Sequence, residues 1–476
     1  MKNLFLLLLI FSVLTISAQD NWLLQSVNFK SETEKLKEII PVVNEYTGHF
    51  AMFFKGNNEL KALLYNEDQK QIFEPVYIEN LPKNFDVFIN HIYSENQYTL
   101  FFKNNASKKY GCILINFETG KYVISNDLPI QLKGEKIVET FNDKNQLYFL
   151  TIKTNSAICY IYTFQLDGSF TKKDIDLSSI PFEKYNGSIL KLSDFLSNAY
   201  VNNLLNKIDY NEPVPLEKTS TYIKIFYNEG VITILNNYYD AYTYIINISV
   251  NDITYNYKKI DNENFDLKAS KKGSNSFIYE DYFFSVNATS DILNLIIYNY
   301  KNGAIVKEYQ ILKDKEITFK NTPIIREGGD FDNYRELEKT SQFLRKVSNP
   351  NLGVAIYRND KNYIITLGSS QEVATGSPAM IGGMLGGAIG GAIGGALFAT
   401  FDSYTKTRST RIACVFDENF DHVEGEVPLN IFDKINNYLE EKNLKKKPLQ
   451  TIFKYKNNYI WGCYNEPNKS YRLIKF

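Results

Sequence analysis

Few residues of this sequence have the types and spacing that a catalytic or metal-binding site requires. The three histidines, His49, His91 and His422, stand far apart, so we expect structural or surface roles for them. Short acidic clusters at 330–333 and 417–421 carry oxygen ligands suited to calcium, but neither has the ligand count of a complete calcium loop. The sequence has neither a Gly-x-Ser-x-Gly nucleophile elbow nor a phosphate-binding loop. We therefore predict a protein that is not an enzyme and that uses no cofactor and no metal.

One uncharged segment has a distinctive chemistry. Residues 379–401 read AMIGGMLGGAIGGAIGGALFATF, with two series of glycines that each recur every four residues. Small residues at this spacing allow helix backbones to approach closely in lipid, whereas in water each glycine costs a helix about 1 kcal/mol relative to alanine. We predict that this segment inserts into a partner protein or touches a membrane. The predicted contact residues are Met380, Gly382, Gly383, Met384, Leu385, Gly386, Gly387, Ile389, Gly390, Gly391, Ile393, Gly394, Gly395, Leu397 and Phe398.

The length of this segment limits how it meets a membrane. As a single helix its 23 residues would reach about 35 Å, enough to cross a bilayer once. The strands predicted on either side of it, Tyr363–Leu367 and Arg411–Phe416, belong to one sheet and must stay on one side of the membrane. A single crossing is therefore disfavoured, and projection into the opening of another protein fits better. Self-association through the glycine ridges and a flexible loop are the alternatives.

The composition excludes several functional classes. The chain has 476 residues, a formal net charge of −1 with 53 basic and 54 acidic residues, 44% hydrophobic residues and 15% aromatic residues. This balance predicts a folded protein and argues against nucleic-acid binding by bulk positive charge. Four cysteines are too few for a disulfide scaffold of this size, so we predict buried free thiols. The run Lys445, Lys446 and Lys447 is predicted to be solvated or to meet an acidic partner or anionic lipid.

Residues 1–18 are predicted to be a secretory signal peptide outside the folded domain. A positive residue precedes the short apolar core Leu4–Ile16, and Ser17-Ala18 has the small residues of a cleavage region before Gln19. The apolar run is shorter than the roughly 20 residues that span a bilayer. No cysteine follows the cleavage region, so a lipoprotein is not predicted. We expect an exported protein, periplasmic or associated with the outer membrane, whose composition resembles that of exported Bacteroidota proteins.

The rest of the chain, residues 19–476, is predicted to form one all-β domain built from repeats. A turn rich in Asn, Asp or Gly followed by an aromatic or branched strand recurs along it, as is typical of antiparallel hairpins. The unit from Lys136 to Leu177 contains four such strands, and similar units run over 85–127 and 277–312. The second strands begin at Phe50, Tyr98, Tyr148, Val231, Tyr282, Tyr363 and Tyr459. Four-stranded units of roughly 40–50 residues resemble the blades of the β-propeller superfamily.

About seven blades are predicted, although the sequence carries neither a Trp-Asp series nor a double-glycine kelch series. The last unit has only three strands, and the N-terminal segment Trp22–Lys30 has no local partner. We predict that this segment pairs with the last unit and closes the ring, which removes both free sheet edges. The alternatives are six or eight blades, or a pair of β-sandwiches.

Four insertions interrupt the repeats, three of them helical at 183–220, 326–348 and 429–447, and one glycine-rich at 371–408. Apolar stripes at helical spacing predict a helix over Leu192–Ile208 in the first insertion. In an up-and-down blade, connections after the second and fourth strands leave from the same end, so all four insertions are expected on one rim. Loops clustered on a rigid scaffold often carry binding function.

These features together predict a non-enzymatic binding or scaffold subunit of the cell envelope. We expect it to dock on an outer-membrane protein or complex, with the glycine-rich segment entering or blocking an opening of that partner. A propeller with such a projection is similar in architecture to a plug-like accessory subunit of the type IX secretion translocon of Bacteroidota. The alternatives are a membrane-active protein that self-associates through its glycine ridges, with membrane lipid as its partner, and a secreted glycan-binding propeller.

Overall fold

A computed structural model describes most of the chain from residue 21 onward. The described residues are 21–83, 85–104, 109–130, 132–143, 145–183, 188–190, 192, 196, 205–209, 212–239, 241–262, 269–328, 334–349, 351–371, 396–406, 408–445 and 449–476. Strands dominate these ranges, and short helices lie between some of them.

The strands and helices have the following bounds. The first strands are β1 (Asn21–Ser26), β2 (Glu38–Val43), β3 (Phe50–Lys55), β4 (Glu59–Tyr65), β5 (Val76–Glu79), β6 (Val87–Tyr93), β7 (Gln97–Lys103), β8 (Tyr110–Asn116), β9 (Lys121–Ser125), β10 (Glu135–Asp143), β11 (Gln146–Lys153), β12 (Ile158–Phe164) and β13 (Phe170–Asp176). The middle strands are β14 (Phe182–Glu183), β15 (Ile189–Leu190), β16 (Leu205–Ile208), β17 (Ile223–Asn228), β18 (Val231–Tyr239), β19 (Tyr242–Ser249), β20 (Thr254–Asp261), β21 (Lys272–Tyr279), β22 (Tyr282–Thr289), β23 (Ile292–Asn299) and β24 (Ile305–Leu312). The last strands are β25 (Ile324–Glu327), β26 (Arg335–Leu337), β27 (Leu352–Asn359), β28 (Asn362–Gln371), β29 (Arg408–Phe416), β30 (Gln450–Tyr455), β31 (Asn458–Asn465) and β32 (Ser470–Lys475). The helices are α1 (Leu216–Thr219), α2 (Thr340–Val347), α3 (Ala396–Lys406) and α4 (Ile431–Glu441).

The strands assemble into successive sheets along the sequence. Sheets 1, 2, 3 and 5 consist of β2–β5, β6–β9, β10–β13 and β21–β24, each with its four strands in sequence order. Sheet 4 contains β16–β20, sheet 6 contains β25–β29, and sheet 7 contains β30–β32 together with β1. Strands β14 and β15 pair as a separate small sheet. The protein is thus mostly β, with repeated four-stranded antiparallel sheets, and it has a β-propeller-like fold.

The repeat units predicted from the sequence correspond to these sheets. The units over 85–127, 136–177 and 277–312 are sheets 2, 3 and 5. Every predicted second-strand opening lies in a strand: five of them lie in the second strand of a four-stranded sheet, whereas Val231 lies in β18 and Tyr363 in β28 of the two five-stranded sheets. The turns carry the backbone that the sequence predicts: Gly120, Gly168 and Gly303 have φ angles of 66°, 85° and 75°. Glycine adopts this left-handed region without steric strain, so these turns favour tight antiparallel connections.

The hydrophobic core lies between neighbouring sheets. Sheets 1 and 2 share one cluster of buried side chains, and sheets 2 and 3, sheets 3 and 4, sheets 4 to 6, and sheets 7 and 1 share others. Inner strands such as β3 are buried along their whole length, whereas the outer strand β13 is mostly exposed. Burial on both faces explains why these inner strands read as nearly continuous apolar runs.

The N-terminal strand joins the two ends of the chain. β1 pairs with β32 in antiparallel orientation, with Ser26 opposite Ser470, as the sequence predicts for this segment. Trp22 packs against Phe50 of sheet 1 and Tyr455 of sheet 7, with ring centroids 4.9 and 5.1 Å away. The first residues of the fold therefore contact both the first and the last sheet.

Two of the insertions predicted to be helical contain strands. Leu205–Ile208, the end of the helix predicted over Leu192–Ile208, instead forms β16, which pairs in parallel with β17. The helix prediction is wrong there because the free edge of β17 satisfies the backbone hydrogen bonds of this segment while Leu205 and Ile208 stay buried. In the 326–348 insertion, β26 and the end of β25 precede a helix that begins only at Thr340, and β25 pairs with β29.

Helices α3 and α4 pack together in a layer on sheet 7. The predicted helix in 429–447 is present as α4, and its buried residues pack in one cluster with Trp461. Tyr357 of sheet 6 donates a hydrogen bond to the carbonyl oxygen of Pro428, 3.3 Å away and just before α4. The helix layer therefore lies between sheets 6 and 7, where it provides the apolar contact that sheet 7 makes on this side.

The four cysteines are buried free thiols, as predicted, and this makes their reactivity testable. They are Cys112, Cys159, Cys414 and Cys463. Burial raises the pKa of Cys112 to about 11 and that of Cys159 to about 12. Because the thiolate is the reactive form, we expect negligible labelling by Ellman's reagent at pH 8 in the native protein and labelling of all four thiols after denaturation. Rapid labelling of the native protein would contradict this burial.

Candidate interaction site

The glycine-rich insertion leaves and re-enters sheet 6 at neighbouring positions. β28 ends at Gln371, which pairs with Arg408 at the start of β29. The returning part of the insertion is α3, which ends at Lys406 shortly before β29. The predicted bounds of the insertion, 371 and 408, therefore coincide with strand ends. We call Ser369–Gln371 the outgoing stem and α3 the returning stem.

Most of the predicted contact residues lie outside the described residues. These are Met380, Gly382, Gly383, Met384, Leu385, Gly386, Gly387, Ile389, Gly390, Gly391, Ile393, Gly394 and Gly395. The remaining two, Leu397 and Phe398, lie on the returning stem and are partly buried against the cluster that contains Phe432 and Trp461. These two residues therefore contact the protein's own core.

The returning stem is docked by an aromatic contact and a polar cluster. Phe401 is 5% exposed, and its ring centroid lies 5.6 Å from that of Phe432 on α4. The hydroxyl of Tyr404 donates to Asp433 Oδ1 (2.9 Å) and accepts from Asn430 Nδ2 (2.7 Å). Asn430 is also the N-cap of α4, because its side-chain oxygen accepts from the backbone N–H of Asp433 (3.0 Å). The residues that begin α4 thus also hold α3.

Residues 217–220 contact both stems, and we call them the clasp. Three side-chain hydrogen bonds make this connection, two to the returning stem and one to the outgoing stem. They join Lys218 Nζ to Thr400 Oγ1 (2.6 Å), Ser403 Oγ to Glu217 Oε2 (2.8 Å) and Ser220 Oγ to Ser370 Oγ (2.8 Å). The clasp belongs to the 183–220 insertion, so two insertions meet here, and the base of the glycine-rich insertion is fixed at both ends.

Local sequence places the clasp against sheet 6. Pro215, with φ of −65°, precedes the single turn of α1 and suits the start of a helical turn. Leu216 is buried above Gly353 of β27, where an added Cβ would lie 3.0 Å from Leu216 Cδ1 and 3.1 Å from Ser220 Cβ. Glycine at 353 therefore allows the clasp to approach the strand closely.

Three titratable side chains near the clasp have pKa values moved toward neutrality by burial. Burial lowers the pKa of Lys218 to about 8, although Glu217 and Glu139 oppose the shift. Burial raises the pKa of Glu139, which is 2% exposed, to about 7, against the opposing charge of Lys207. Burial likewise raises the pKa of Glu212 to about 7. The charge of this region therefore changes close to physiological pH.

The lysine run is less available than the sequence suggests. Lys445 forms an ion pair with Glu440 of α4. Lys446 and Lys447 lie outside the described residues. The charge of Lys445, which the sequence predicts to meet a partner or lipid, is thus already paired with a carboxylate of the same chain.

The residues predicted to lack a catalytic role have structural contacts. Asp417 accepts backbone N–H groups of Asn419 (2.9 Å) and Asp421 (2.8 Å), which are contacts typical of an acidic residue in a turn. His422 Nε2 lies 3.1 Å from Asn321 Oδ1. In the part of the chain that the structure describes, no group of three or more His, Cys, Asp or Glu side chains is arranged to hold a metal ion.

The clasp is the part of the candidate site that sequence reasoning missed. Its residues lie about 150 to 186 positions away from their partners on the stems, so no local pattern connects them. The detectable signal is indirect: Pro215 lies beyond the predicted helix Leu192–Ile208 and marks the start of a second short element.

Comparisons with known proteins do not assign this chain to a family. Neither family models nor curated protein sequences match this chain. Among solved structures it is similar to apo AztD from Citrobacter koseri, with 8% identity, a TM-score of 0.26 and coverage of 57% of this chain and 59% of that one, less than two thirds of its length. It is also similar to the WD40 domain of SCAP from fission yeast, with 10% identity, a TM-score of 0.30 and coverage of 95% and 89%. A member of the DUF4221 family from Bacteroides vulgatus gives 9% identity, a TM-score of 0.31 and coverage of 93% and 99%. At these scores the fold assignment rests on the strand pairing of this chain itself.

Proposed function

We propose that this protein is an exported, non-enzymatic binding subunit of the cell envelope that docks on an outer-membrane protein complex. In this proposal the glycine-rich insertion enters or blocks an opening of the partner, and a secretion translocon is one complex of this kind. The observation that carries the proposal is the fixed base of the insertion. Both of its stems are held to folded protein, by the clasp and by the docking of α3.

A fixed base favours binding because it limits the freedom that the insertion would lose in a complex. The sequence from Val373 to Phe401 has no charged residue and contains eight glycines at 382–395. A free tail of this composition would pay the full cost of ordering on binding, whereas a segment pinned at both ends pays less. Its apolar side chains gain most from a site that excludes water, such as the opening of another protein.

The proposed scaffold is a ring in which the seven sheets are blades and β1 closes the last one. The shared cores between successive sheets and the contacts of Trp22 with sheets 1 and 7 support this arrangement. A ring without free strand edges is a stable platform for loops that bind a partner.

The proposed location is the periplasm or the outer membrane. It rests on the signal-peptide pattern of residues 1–18, which lie outside the described residues. Among the helices that the structure describes, none combines the length and the apolar character needed to cross a membrane.

Affinity capture from detergent-solubilised native envelope tests the proposal. In the matched variant, residues 376–395 are replaced by a Gly-Ser linker of equal length, which keeps both stems and removes only apolar side chains. We expect the unaltered protein to capture an outer-membrane protein or complex, and the variant to capture at least about tenfold less, because several apolar side chains leave the interface.

The outcomes separate the alternatives. Circular dichroism and thermal unfolding first establish that the variant folds as the unaltered protein does. Equal capture by the unaltered protein and the variant would show that the apolar side chains of the insertion do not contribute to binding. Recovery of the bait alone from the envelope would overturn the subunit proposal and favour self-association or glycan binding.

A further inference from the structure

Five basic side chains converge beside the base of the glycine-rich insertion, and we call them the arginine patch. They are Arg326, Arg335, Arg345, Lys346 and Arg408. Arg326 lies directly opposite Arg335 in the β25–β26 pair and opposite Thr410 in the β25–β29 pair. Arg408, two residues before Thr410, is therefore a diagonal neighbour on the same face of sheet 6. Helix α2, which packs on β26 and β29, supplies Arg345 and Lys346.

The patch is contiguous with the stems of the insertion. Arg408 pairs with Gln371 at the end of the outgoing stem. On the same stem, Ser369 Oγ donates a hydrogen bond to the carbonyl oxygen of Lys346, 2.8 Å away. The positive charge thus borders the place where the uncharged apolar segment leaves the fold.

The residue type of the patch is informative. The chain has 53 basic residues but only seven arginines, and four of those seven lie in the patch. A guanidinium group presents a rigid fork of donors that matches the oxygens of phosphate, whereas a lysine ammonium acts as a point charge. A chain that uses lysine almost everywhere else uses arginine here, which favours recognition of an oxygen-rich anion.

These cations have no anionic partners among the described residues. None of the five forms an ion pair there, and three of them, Arg335, Arg345 and Arg408, are exposed. Two carboxylates of the neighbouring strands are engaged elsewhere: Glu327 pairs with Arg411, and Glu336 accepts from the hydroxyl of Tyr334 (2.7 Å). Within the described residues, the patch therefore carries positive charge that no ion pair balances.

The positive charges of the patch repel one another. Like charges directly opposite each other on neighbouring strands repel, as Arg326 and Arg335 do. Partial burial and the surrounding guanidinium groups also lower the pKa of Lys346. A bound anion would relieve this repulsion, so binding and stability are linked.

We propose that the arginine patch binds the phosphate groups of an anionic lipid surface. Its position favours lipid over the carboxylates of an acidic protein, because basic residues beside an apolar segment are typical of proteins that meet a charged membrane surface. The inference does not depend on the proposed docking of the glycine-rich insertion on a partner. Its cations are described residues of sheet 6 and α2, and only the choice of lipid also uses the apolar sequence of the neighbouring insertion.

Vesicle flotation with the protein from Gln19 onward tests the inference. We expect partitioning onto vesicles of phosphatidylcholine with phosphatidylglycerol and none onto pure phosphatidylcholine. Each basic residue near an anionic surface is worth about fivefold in partitioning, so the variant R326Q/R335Q/R345Q/R408Q should lose on the order of a hundredfold or more. Its thermal midpoint should stay the same or rise, because repulsion is removed.

A matched variant controls for net charge. K37Q/K121Q/K136Q/K173Q removes four exposed lysines from sheets 1 to 3 and their connections, and it should retain partitioning within about threefold. Equal losses of vesicle partitioning in the two variants would mean that only the net charge of the protein matters. That result would contradict lipid binding by the arginine patch. Displacement of the protein from vesicles by micromolar pyrophosphate at constant ionic strength would assign a soluble phosphate ligand instead of lipid.

The experiment also separates this inference from the proposed function. The arginine variant should still capture the envelope partner in detergent, where no lipid surface is present. The Gly-Ser variant of residues 376–395 should still prefer anionic over neutral vesicles. If no protein prefers anionic vesicles but the arginine variant loses an acidic protein from the captured material, the patch binds protein and the lipid inference is wrong.

Discussion

Phe401→Ala is expected to release helix α3 from the helix layer while the sheets remain folded. Phe401 is 5% exposed and packs on Phe432 of α4, with ring centroids 5.6 Å apart. Truncation of a buried phenylalanine to alanine costs about 3–5 kcal/mol. Helix α3 has 11 residues, and an isolated helix of that length is marginal in water. The lost packing energy therefore destabilises a helix that stays folded only while it packs on α4.

Hydrogen exchange followed by mass spectrometry measures this release directly. A local loss of about 3 kcal/mol corresponds to roughly a hundredfold faster exchange of amides over 397–406. The thermal midpoint of the whole protein should change far less, because the clusters between the sheets do not include Phe401. If the proposed function is right, capture of the envelope partner should also weaken, since the returning stem no longer fixes the insertion.

Phe319→Ala is the matched control for this effect. Phe319 is 4% exposed and packs on Tyr309 and Phe416 in the core shared by sheets 4 to 6. Its loss should lower the free energy of unfolding of the whole protein without a selective increase of exchange in α3. Unchanged exchange over 397–406 in Phe401→Ala would mean that other contacts dock the returning stem.

The repeat architecture is readable from sequence because its determinants are local. A left-handed turn residue such as Gly168 and an apolar strand such as β11 lie within one repeat, and they specify a hairpin without reference to the rest of the chain. The N-terminal strand is readable for another reason. Trp22 and its neighbours form an apolar strand with no nearby partner, and the last repeat lacks one strand.

The elements that hold the candidate site depend on contacts between residues that are far apart in the sequence. They therefore cannot be predicted from local sequence patterns. Leu205–Ile208 has an apolar spacing that suits both a helix and a strand, and the free edge of β17 decides between them. Strand β25 is the first strand of sheet 6 in the sequence, yet it pairs with β29, which follows more than 80 residues later. The glycine-rich insertion lies between these two strands in the sequence. The arginine patch is assembled only when that pairing is known, because Arg326 and Arg408 are far apart in sequence.

The clasp and the buried charges near it suggest why stability should depend on pH. Lys207 Nζ donates to the carbonyl oxygen of Thr140 (3.0 Å) and not to the carboxylate of the adjacent Glu139. Glu139 accepts a hydrogen bond from the backbone N–H of Thr140 (2.8 Å), which is too little to offset its burial. The carboxyl group is therefore more easily protonated in the folded protein than in the unfolded chain.

Glu139→Gln is expected to abolish much of a loss of stability that the unaltered protein shows as pH rises from 5 to 7.5. Burial raises the pKa of Glu139 from 4.5 to about 7, so between these values the folded protein holds a proton that the unfolded chain has released. Stability falls with rising pH in such a window, by about 3 kcal/mol for a shift of this size. Glutamine keeps the polar shape without the charge and should flatten the dependence.

Urea unfolding at several pH values between 5 and 7.5 measures this change, with Glu118→Gln at an exposed turn as the control that should keep the full slope. Glu212, with its pKa also raised to about 7, contributes in the same direction as Glu139, whereas burial lowers the pKa of His91 to about 4, so His91 makes stability rise with pH up to about 6.5. Glu139→Gln should therefore shift the pH dependence of stability toward a rise with pH, and the double variant with Glu212→Gln should shift it further. Lys218 acts in the opposite sense above pH 8, where its lowered pKa makes stability rise with pH, which is why the range ends at 7.5. A Glu139→Gln variant with the same pH dependence as the unaltered protein would contradict the raised pKa of Glu139 and would mean that this carboxyl group is already charged in the folded state at pH 5.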